Sequence, residues 1–343
     1  MNTIHFWIKN ARSISLPQSL LPALLAVSTA SIAGVGGTTI YVYNGGGFCW
    51  WLALLAVFGV ACAHLGMNLA DDYFDYRGGV VEKMSVLSDD SIRRRMEKCH
   101  YIADGRATVA DLRRAMIVFL SIAAACGIVI FAFRGWMTLV LMALGAALGL
   151  SYSGGPLQLS FRGYGELVIG LLFGPLLMTG VQYSACGMID WSIILLSVAV
   201  GLLVTNIVYT HSVIDADNDT KSQKMTFARL LKSHYRQIAA TTAFVLTPFL
   251  IIFIGTAAGI WHWSYLFVSL TLPLALFIIK SIRCFLLEIE YINEPRWWMG
   301  PMGNWQAYKK AGIDWFLLRW LPARNLVTFF CLIILIANIV LSF

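Results

Sequence analysis

Nine apolar stretches, each long enough to cross a bilayer, constrain this chain more than any other feature. They fall at 14–34, 48–70, 113–133, 136–153, 164–184, 191–212, 237–256, 262–283 and 323–342. A membrane-spanning helix needs roughly 17–25 predominantly apolar residues. Backbone amides in lipid must be satisfied within their own segment, so such windows imply helices. With 59% hydrophobic and only 13% charged residues over 343 positions, little remains for a soluble domain. Lys9 and Arg12 precede the first window in the manner of a signal peptide. With no soluble domain after it, an uncleaved span is expected. The expected fold is all-α: a polytopic membrane protein of about nine transmembrane helices, one membrane domain over 1–343.

Charge placement tests that count independently. With the N-terminus inside, the cytoplasmic pieces are 1–13, 71–112, 154–163, 213–236 and 284–322. Together with the adjoining helix ends they hold 24 of the 25 Lys and Arg residues, and Arg134 alone lies opposite. The loops 35–47, 185–190 and 257–261 carry none. This positive-inside pattern predicts an odd number of spans, N-in and C-out, in the cytoplasmic (inner) membrane. It also accounts for the net charge of +7 without nucleic acid. The basic residues follow topology, and their natural partner is the lipid bilayer. The seven Cys are scattered singly, with no zinc-like spacing, and read as small core residues.

Chemistry concentrates at the ends of two windows. The run Met67-Asn68-Leu69-Ala70-Asp71-Asp72-Tyr73-Phe74-Asp75-Tyr76 closes the second. On a helix, Asn68, Asp72 and Asp75 fall at i, i+4 and i+7 and share one face. Carboxylates at a helix C-terminus meet the negative end of the macrodipole, a penalty that a bound cation would reverse. The arrangement recurs after the sixth window, where Asp215 and Asp219 stand at i, i+4 with Asp217 between them. Spans one to four and five to eight therefore form two four-helix units plus one extra helix. An even number of spans per unit puts both clusters on the same side.

Asp72, Asp75, Asp215 and Asp219 are hard oxygen ligands suited to Mg2+, which usually bridges one or two carboxylates to substrate phosphates. Arg77, Lys83, Lys221 and Lys224 follow the clusters, and Arg12 enters the first span from the same side. Metal with Lys and Arg is what a diphosphate leaving group needs. Solvated loop charges are the bland alternative for the lysines. The long pieces 76–112 and 284–322 have the length of functional lids. The second, rich in Trp and Lys, reads as an interfacial segment lying on the membrane.

Taken together, these motifs make the chain resemble the UbiA superfamily of intramembrane prenyltransferases. Within it, the chain is most similar to the 1,4-dihydroxy-2-naphthoate polyprenyltransferase branch of menaquinone biosynthesis. Asn68 and Asp72 match the first family motif, and Asp215 and Asp219 the second. Tyr152-Ser153-Gly154-Gly155-Pro156-Leu157, Arg162-Gly163-Tyr164-Gly165-Glu166, Phe173-Gly174-Pro175, and Ala11-Arg12 with Leu16-Pro17 are similar to the naphthoate branch. The resemblance implies nine helices around a cavity open sideways to lipid, Mg2+ at the acidic motifs, and a polyprenyl diphosphate donor. It also implies an aromatic acceptor that attacks the allylic cation. The implied catalytic set is Asn68, Asp72, Asp75, Asp215 and Asp219. The substrate-binding set is Arg12, Lys83, Lys221, Lys224, Tyr152 and His211.

The approach to the second motif, His211-Ser212-Val213-Ile214-Asp215, departs from the Asn-Asn-x-Arg-Asp usual in the branch. His211, one turn before Asp215, can touch the aromatic substrate, act as a base, or serve as a structural histidine. His64, one turn before Asn68, reads more readily as structural. Hydroxybenzoate, homogentisate or a lipid alcohol are alternative acceptors. A secondary transporter also uses buried carboxylates, but its sites lie near the bilayer midplane. A CDP-alcohol phosphotransferase would show a denser aspartate pattern than Asp104-Gly105-Arg106 alone.

Overall fold

In a computed structural model, residues 3–32, 39–43, 47–79, 99–221, 224–290 and 294–342 are described. Nine helices among them are long and apolar enough to cross a membrane. They run Ser13–Ser31, Trp50–Arg77, Val109–Arg134, Trp136–Ser153, Gly165–Cys186, Trp191–Ile214, His234–Ala257, Trp263–Leu286 and Asp314–Leu341. Each expected window thus holds one helix. Several helices overrun their windows because polar residues extend them beyond the apolar stretch. The second continues to Arg77, so its acidic motif is helical, not a loop. The third starts four residues early on a capping box, in which Thr108 Oγ1 accepts from Asp111 N and the Asp111 carboxylate accepts from Thr108 N.

The ninth helix begins at Asp314 and carries Pro322 inside it. Residues 314–322, expected in the last loop, therefore belong to that span. What remains of the loop holds a short 3-10 turn, Trp297–Met299, and a short helix, Trp305–Lys310.

The sixth span is the most enclosed, with 61% of its apolar window buried, against 17% for the third and 11% for the fourth. The core accordingly sits around the first, fifth, sixth and ninth spans, with Leu25, Met178, Leu196, Leu203 and Phe330 fully or almost fully buried. The second span packs most extensively on the third, and the sixth lies between the fifth and the seventh, packing more on the fifth. Spans five and six approach closely where Gly174 faces Gly201. A Cβ on Gly174 would lie 2.4 Å from the Ser197 carbonyl oxygen. At the same level Pro175, which lacks an N–H, sits in a π-helical stretch from Leu172 to Leu176.

At the end away from the acidic motifs, two short strands form an antiparallel ribbon. Thr39–Val42 pairs with Met188–Asp190, joining two connections that sequence patterning treats as plain loops. Arg134, 8% exposed, closes this end. Its guanidinium donates to the carbonyls of Ser184, Ala185 and Gly47 at 2.9, 2.7 and 2.8 Å. The one cation expected opposite all others is therefore spent on backbone carbonyls, of which Ala185 O also accepts from Cys49 N at 2.8 Å.

Candidate active site

Both acidic motifs border one cavity of about 1070 Å³. At the motif end its wall includes Arg12, Asn68, Asp71, Tyr152, His211, Asp219 and Lys224. Farther in, the lining turns small and apolar, with Ala56, Gly59 and Ala63 of the second span facing Ala123, Gly127 and Gly145 of the third and fourth. The third and fourth spans are the least enclosed helices, so this apolar arm lies on the side of the bundle next to lipid.

The first motif is held by the chain segment that precedes the first span. Arg12 Nη2 donates to Asp72 Oδ1 at 2.8 Å, Asp71 Oδ2 at 3.0 Å and the Asn68 carbonyl at 2.9 Å. Asn68 Nδ2 returns a bond to the Ala11 carbonyl at 2.9 Å. Arg12 itself has φ 58° and ψ 47°, a left-handed backbone that is strained for a non-glycine residue. The contacts with Asn68, Asp71 and Asp72 offset that cost. Burial works against the Arg12 charge, but Asp72 and Asp71 outweigh it and raise its pKa further.

Asp72 is fully buried and also accepts from the Tyr101 hydroxyl at 3.3 Å. Burial first, and then the Asp72 charge, push the Tyr101 hydroxyl well above its ordinary pKa, so it stays a donor. Tyr101 packs edge-on against Phe6 and Trp7 of the N-terminal helix Thr3–Asn10. The expected shared face of Asn68, Asp72 and Asp75 therefore exists, with Asp75 5% exposed. For Asn68 and Asp72 it is turned toward this N-terminal arm. Asp71, one residue off that face, lines the cavity, as Asn68 also does, and accepts from the Ser153 hydroxyl.

The second motif straddles the end of the sixth span. Asp215 closes the helix, its N–H bonding to His211 O at 2.9 Å, and Asp219 N reaches Asp215 O at 2.8 Å within the short helix Ala216–Lys221. His211 Nδ1 lies 3.4 Å from Asp215 Oδ2, with its ring edge-on to Phe316. Lys224 borders the cavity with Nζ 5.8 Å above the Phe161 ring. Arg229 bonds to the carbonyls of Asp219 and Lys224, fixing the turn between them. Lys83 lies outside the described residues, and Lys221 is described only as the end of its helix. His64 is tied at both ring nitrogens, to Ser15 Oγ at 3.1 Å and Ser19 Oγ at 2.7 Å.

Asp72, Asp75, Asp215 and Asp219 are 0%, 5%, 3% and 4% exposed. Of the four, only Asp219 lines the cavity; as hard oxygen donors they are chemically suited to a divalent cation. Among the described residues, no three His, Cys, Asp or Glu side chains gather at metal-holding distance.

Sequence reasoning passed over Asp71, Ser153, Tyr101 and Glu166 as site residues. Ser153 stands in the quoted Tyr-Ser-Gly-Gly-Pro run and Glu166 ends the Arg-Gly-Tyr-Gly-Glu run, so a signal existed for both. Tyr101 lies in a piece of chain that looks like solvated loop, and nothing local marks it.

Comparison with known proteins adds three findings. A profile described as UbiA prenyltransferase family matches residues 27–289, about three quarters of the chain. The 1,4-dihydroxy-2-naphthoate octaprenyltransferase of Mycobacterium tuberculosis (strain ATCC 25618 / H37Rv) is 26% identical over 257 residues, covering 72% of this chain and 80% of that protein. Two solved structures share the fold. One, from work on digeranylgeranylglyceryl phosphate synthase, has a TM-score of 0.60 at 13% identity and covers 99% of each chain. The other, a UbiA homolog from Archaeoglobus fulgidus bound to DMAPP and Mg2+, has a TM-score of 0.50 at 16% identity, covering 96% of this chain and 98% of that one.

Proposed function

The chain belongs to the UbiA prenyltransferase family, and from that premise we propose that it transfers a polyprenyl group from polyprenyl diphosphate to 1,4-dihydroxy-2-naphthoate. Prenyl transfer is the family's reaction; the acceptor is our reading. The observation that carries it is the cavity, polar and acidic at one end and apolar beyond. A lipid with a charged head and a hydrocarbon tail has that shape. The acceptor assignment is supported by the naphthoate relative, 26% identical over most of its length.

In this reading Arg12 and Lys224 meet the diphosphate, with Lys83 and Lys221 from the neighbouring loops. Asp72, Asp75, Asp215 and Asp219 would hold Mg2+, and Asn68 keeps the first of these pairs in place. Mg2+ when bound would offset negative charge on the departing diphosphate. The allylic C–O bond breaks, and its electron pair leaves with the diphosphate. A ring carbon of the acceptor supplies the pair for the new C–C bond. The ring then regains aromaticity by releasing the group at that carbon, a proton or carbon dioxide. The surrounding apolar wall keeps water from the cation. The motif end faces the cytoplasm, because nearly all basic residues lie on that side.

The test is purified protein with Mg2+, a polyprenyl diphosphate and a panel of acceptors: the naphthoate, hydroxybenzoate, homogentisate and a lipid alcohol. Products are identified by mass. A prenylated naphthoate is expected, and exclusive prenylation of another acceptor would replace this assignment.

A further inference from the structure

Two hydroxyls on the cavity wall have no part in the donor site described above. Ser160 and Thr226 both line the cavity and are 4% and 3% exposed. Neither oxygen has a hydrogen-bond partner among the described residues. They come from segments far apart in sequence, the turn before the fifth span and the loop after the second acidic motif. Two contacts bring those segments together. Glu166 accepts the Phe227 N–H on both carboxylate oxygens, at 3.0 and 3.2 Å. Arg162 and Met225 form an isolated parallel bridge. Within the first segment, Gly165 lies so near Ser160 that a Cβ there would stand 2.9 Å from Ser160 Cα and 3.3 Å from Tyr152 Cε2.

Buried hydroxyls in folded proteins are overwhelmingly hydrogen-bonded, because desolvation without a partner costs free energy. Two unsatisfied ones, on adjoining segments of one ligand cavity, point to a partner that arrives with the ligand. The local charge says which kind. Phosphate oxygens only accept, and they are matched best by cationic donors, which Arg12 and Lys224 already supply. Glu166 stands behind both segments, where its carboxylate disfavours a second anion. A neutral group that both donates and accepts fits better. Ser and Thr hydroxyls rotate freely to present either role.

Resting on the prenyltransferase reading, we propose that Ser160 and Thr226 form the seat for a ring hydroxyl of the aromatic acceptor. One hydroxyl accepts the phenolic proton and the other donates to the phenolic oxygen. The seat lies beside Tyr152 and Lys224, so the ring is held at the head end of the donor and not along its tail. Glu166 and the Arg162–Met225 bridge act as positioning elements for it.

The experiment measures equilibrium binding of 1,4-dihydroxy-2-naphthoate and of its dimethyl ether by calorimetry. The proteins are detergent-solubilised wild type, Ser160→Ala, Thr226→Val and Thr226→Ser, each with its melting temperature recorded. Donor KM is measured in parallel. Each of the first two variants should bind the dihydroxy compound about five- to ten-fold more weakly, the size of one lost hydrogen bond. Affinity for the ether and donor KM should hold, and Thr226→Ser should retain wild-type binding. Equal losses for both compounds, a raised donor KM, or no loss at all would overturn the seat. If the wild type prenylates no aromatic acceptor, the functional reading falls and the seat with it. If the wild type is active but the variants bind normally, the seat alone falls.

Discussion

Arg12 Nη2 sits 2.8 Å from Asp72 Oδ1, joining a strained residue before the first span to a carboxylate that is fully buried near the end of the second. The pair does two things at once. It neutralises an acid that could not otherwise remain charged away from water. It also places a cation against the cavity wall where a diphosphate head would arrive.

Arg12→Ala should therefore damage both stability and donor use. Removing one partner of a buried pair strands the other, at a cost of roughly 3 kcal/mol. Thermal melting in detergent should fall by several degrees, and donor KM should rise about ten-fold with a lost charged hydrogen bond. Arg12→Lys should recover part of both. Unchanged melting would mean that Asp72 has lost nothing it depends on.

The metal-ligand set proposed above predicts metal dependence. Asp72→Asn and Asp219→Asn should each lower kcat by about 100-fold or more, since each removes a negative ligand for the cation that offsets leaving-group charge. Chelator should abolish turnover in the wild type, and Mg2+ should restore it. Full activity in chelator, or in both variants, would sink the metal assignment.

How much of this was legible beforehand depended on the range of the interaction. Spans and acidic motifs are local patterns in apolar length and i, i+4 spacing, so all nine windows hold a helix. Helix ends were not legible from hydropathy: Asp71 to Arg77 carry four charges yet continue the second helix, and Asp314 to Arg319 start the ninth ahead of Pro322, where a break was expected. Which aspartate meets the cavity was also hidden. Asp71 and Asp72 are neighbours on the chain and both meet Arg12, but Tyr101 arrives from elsewhere over Asp72 while Asp71 stays at the wall. The ribbon of Thr39–Val42 with Met188–Asp190 joins loops almost 150 residues apart, a pairing no local signal announces.

Arg134 offers a test of structure without chemistry. It satisfies carbonyls of Gly47, Ser184 and Ala185 at the end of the bundle away from the acidic motifs. Arg134→Ala should lower melting temperature markedly while donor and acceptor KM in the surviving folded protein stay near wild type. A selective rise in either KM at normal melting temperature would place Arg134 in the substrate path.

Orientation is open to direct measurement. Single cysteines introduced in 76–112 and in 213–236 should react with an impermeant reagent from the cytoplasmic side. Those in 35–47 and 257–261 should react from outside. Opposite sidedness of the first two would separate the acidic motifs and end the shared-site reading.

His211 decides what distinguishes this chain at the second motif. Its Nδ1 stands 3.4 Å from Asp215 Oδ2, and its ring is fixed edge-on against Phe316, 5.4 Å between centroids. His211 also lines the cavity, with its side chain 43% exposed, so it stands between the Asp215 carboxylate and the cavity. His211→Asn should then raise the Mg2+ concentration for half-maximal activity several-fold and lower kcat, because Asp215 loses the group that orients it. Acceptor KM should stay within about two-fold of wild type, the spread expected when no hydrogen bond to that substrate is lost. Mg2+ titrations at saturating donor and acceptor separate the two roles. If Mg2+ dependence is unchanged and acceptor KM climbs, His211 contacts the acceptor ring. If neither moves, it serves only packing against Phe316.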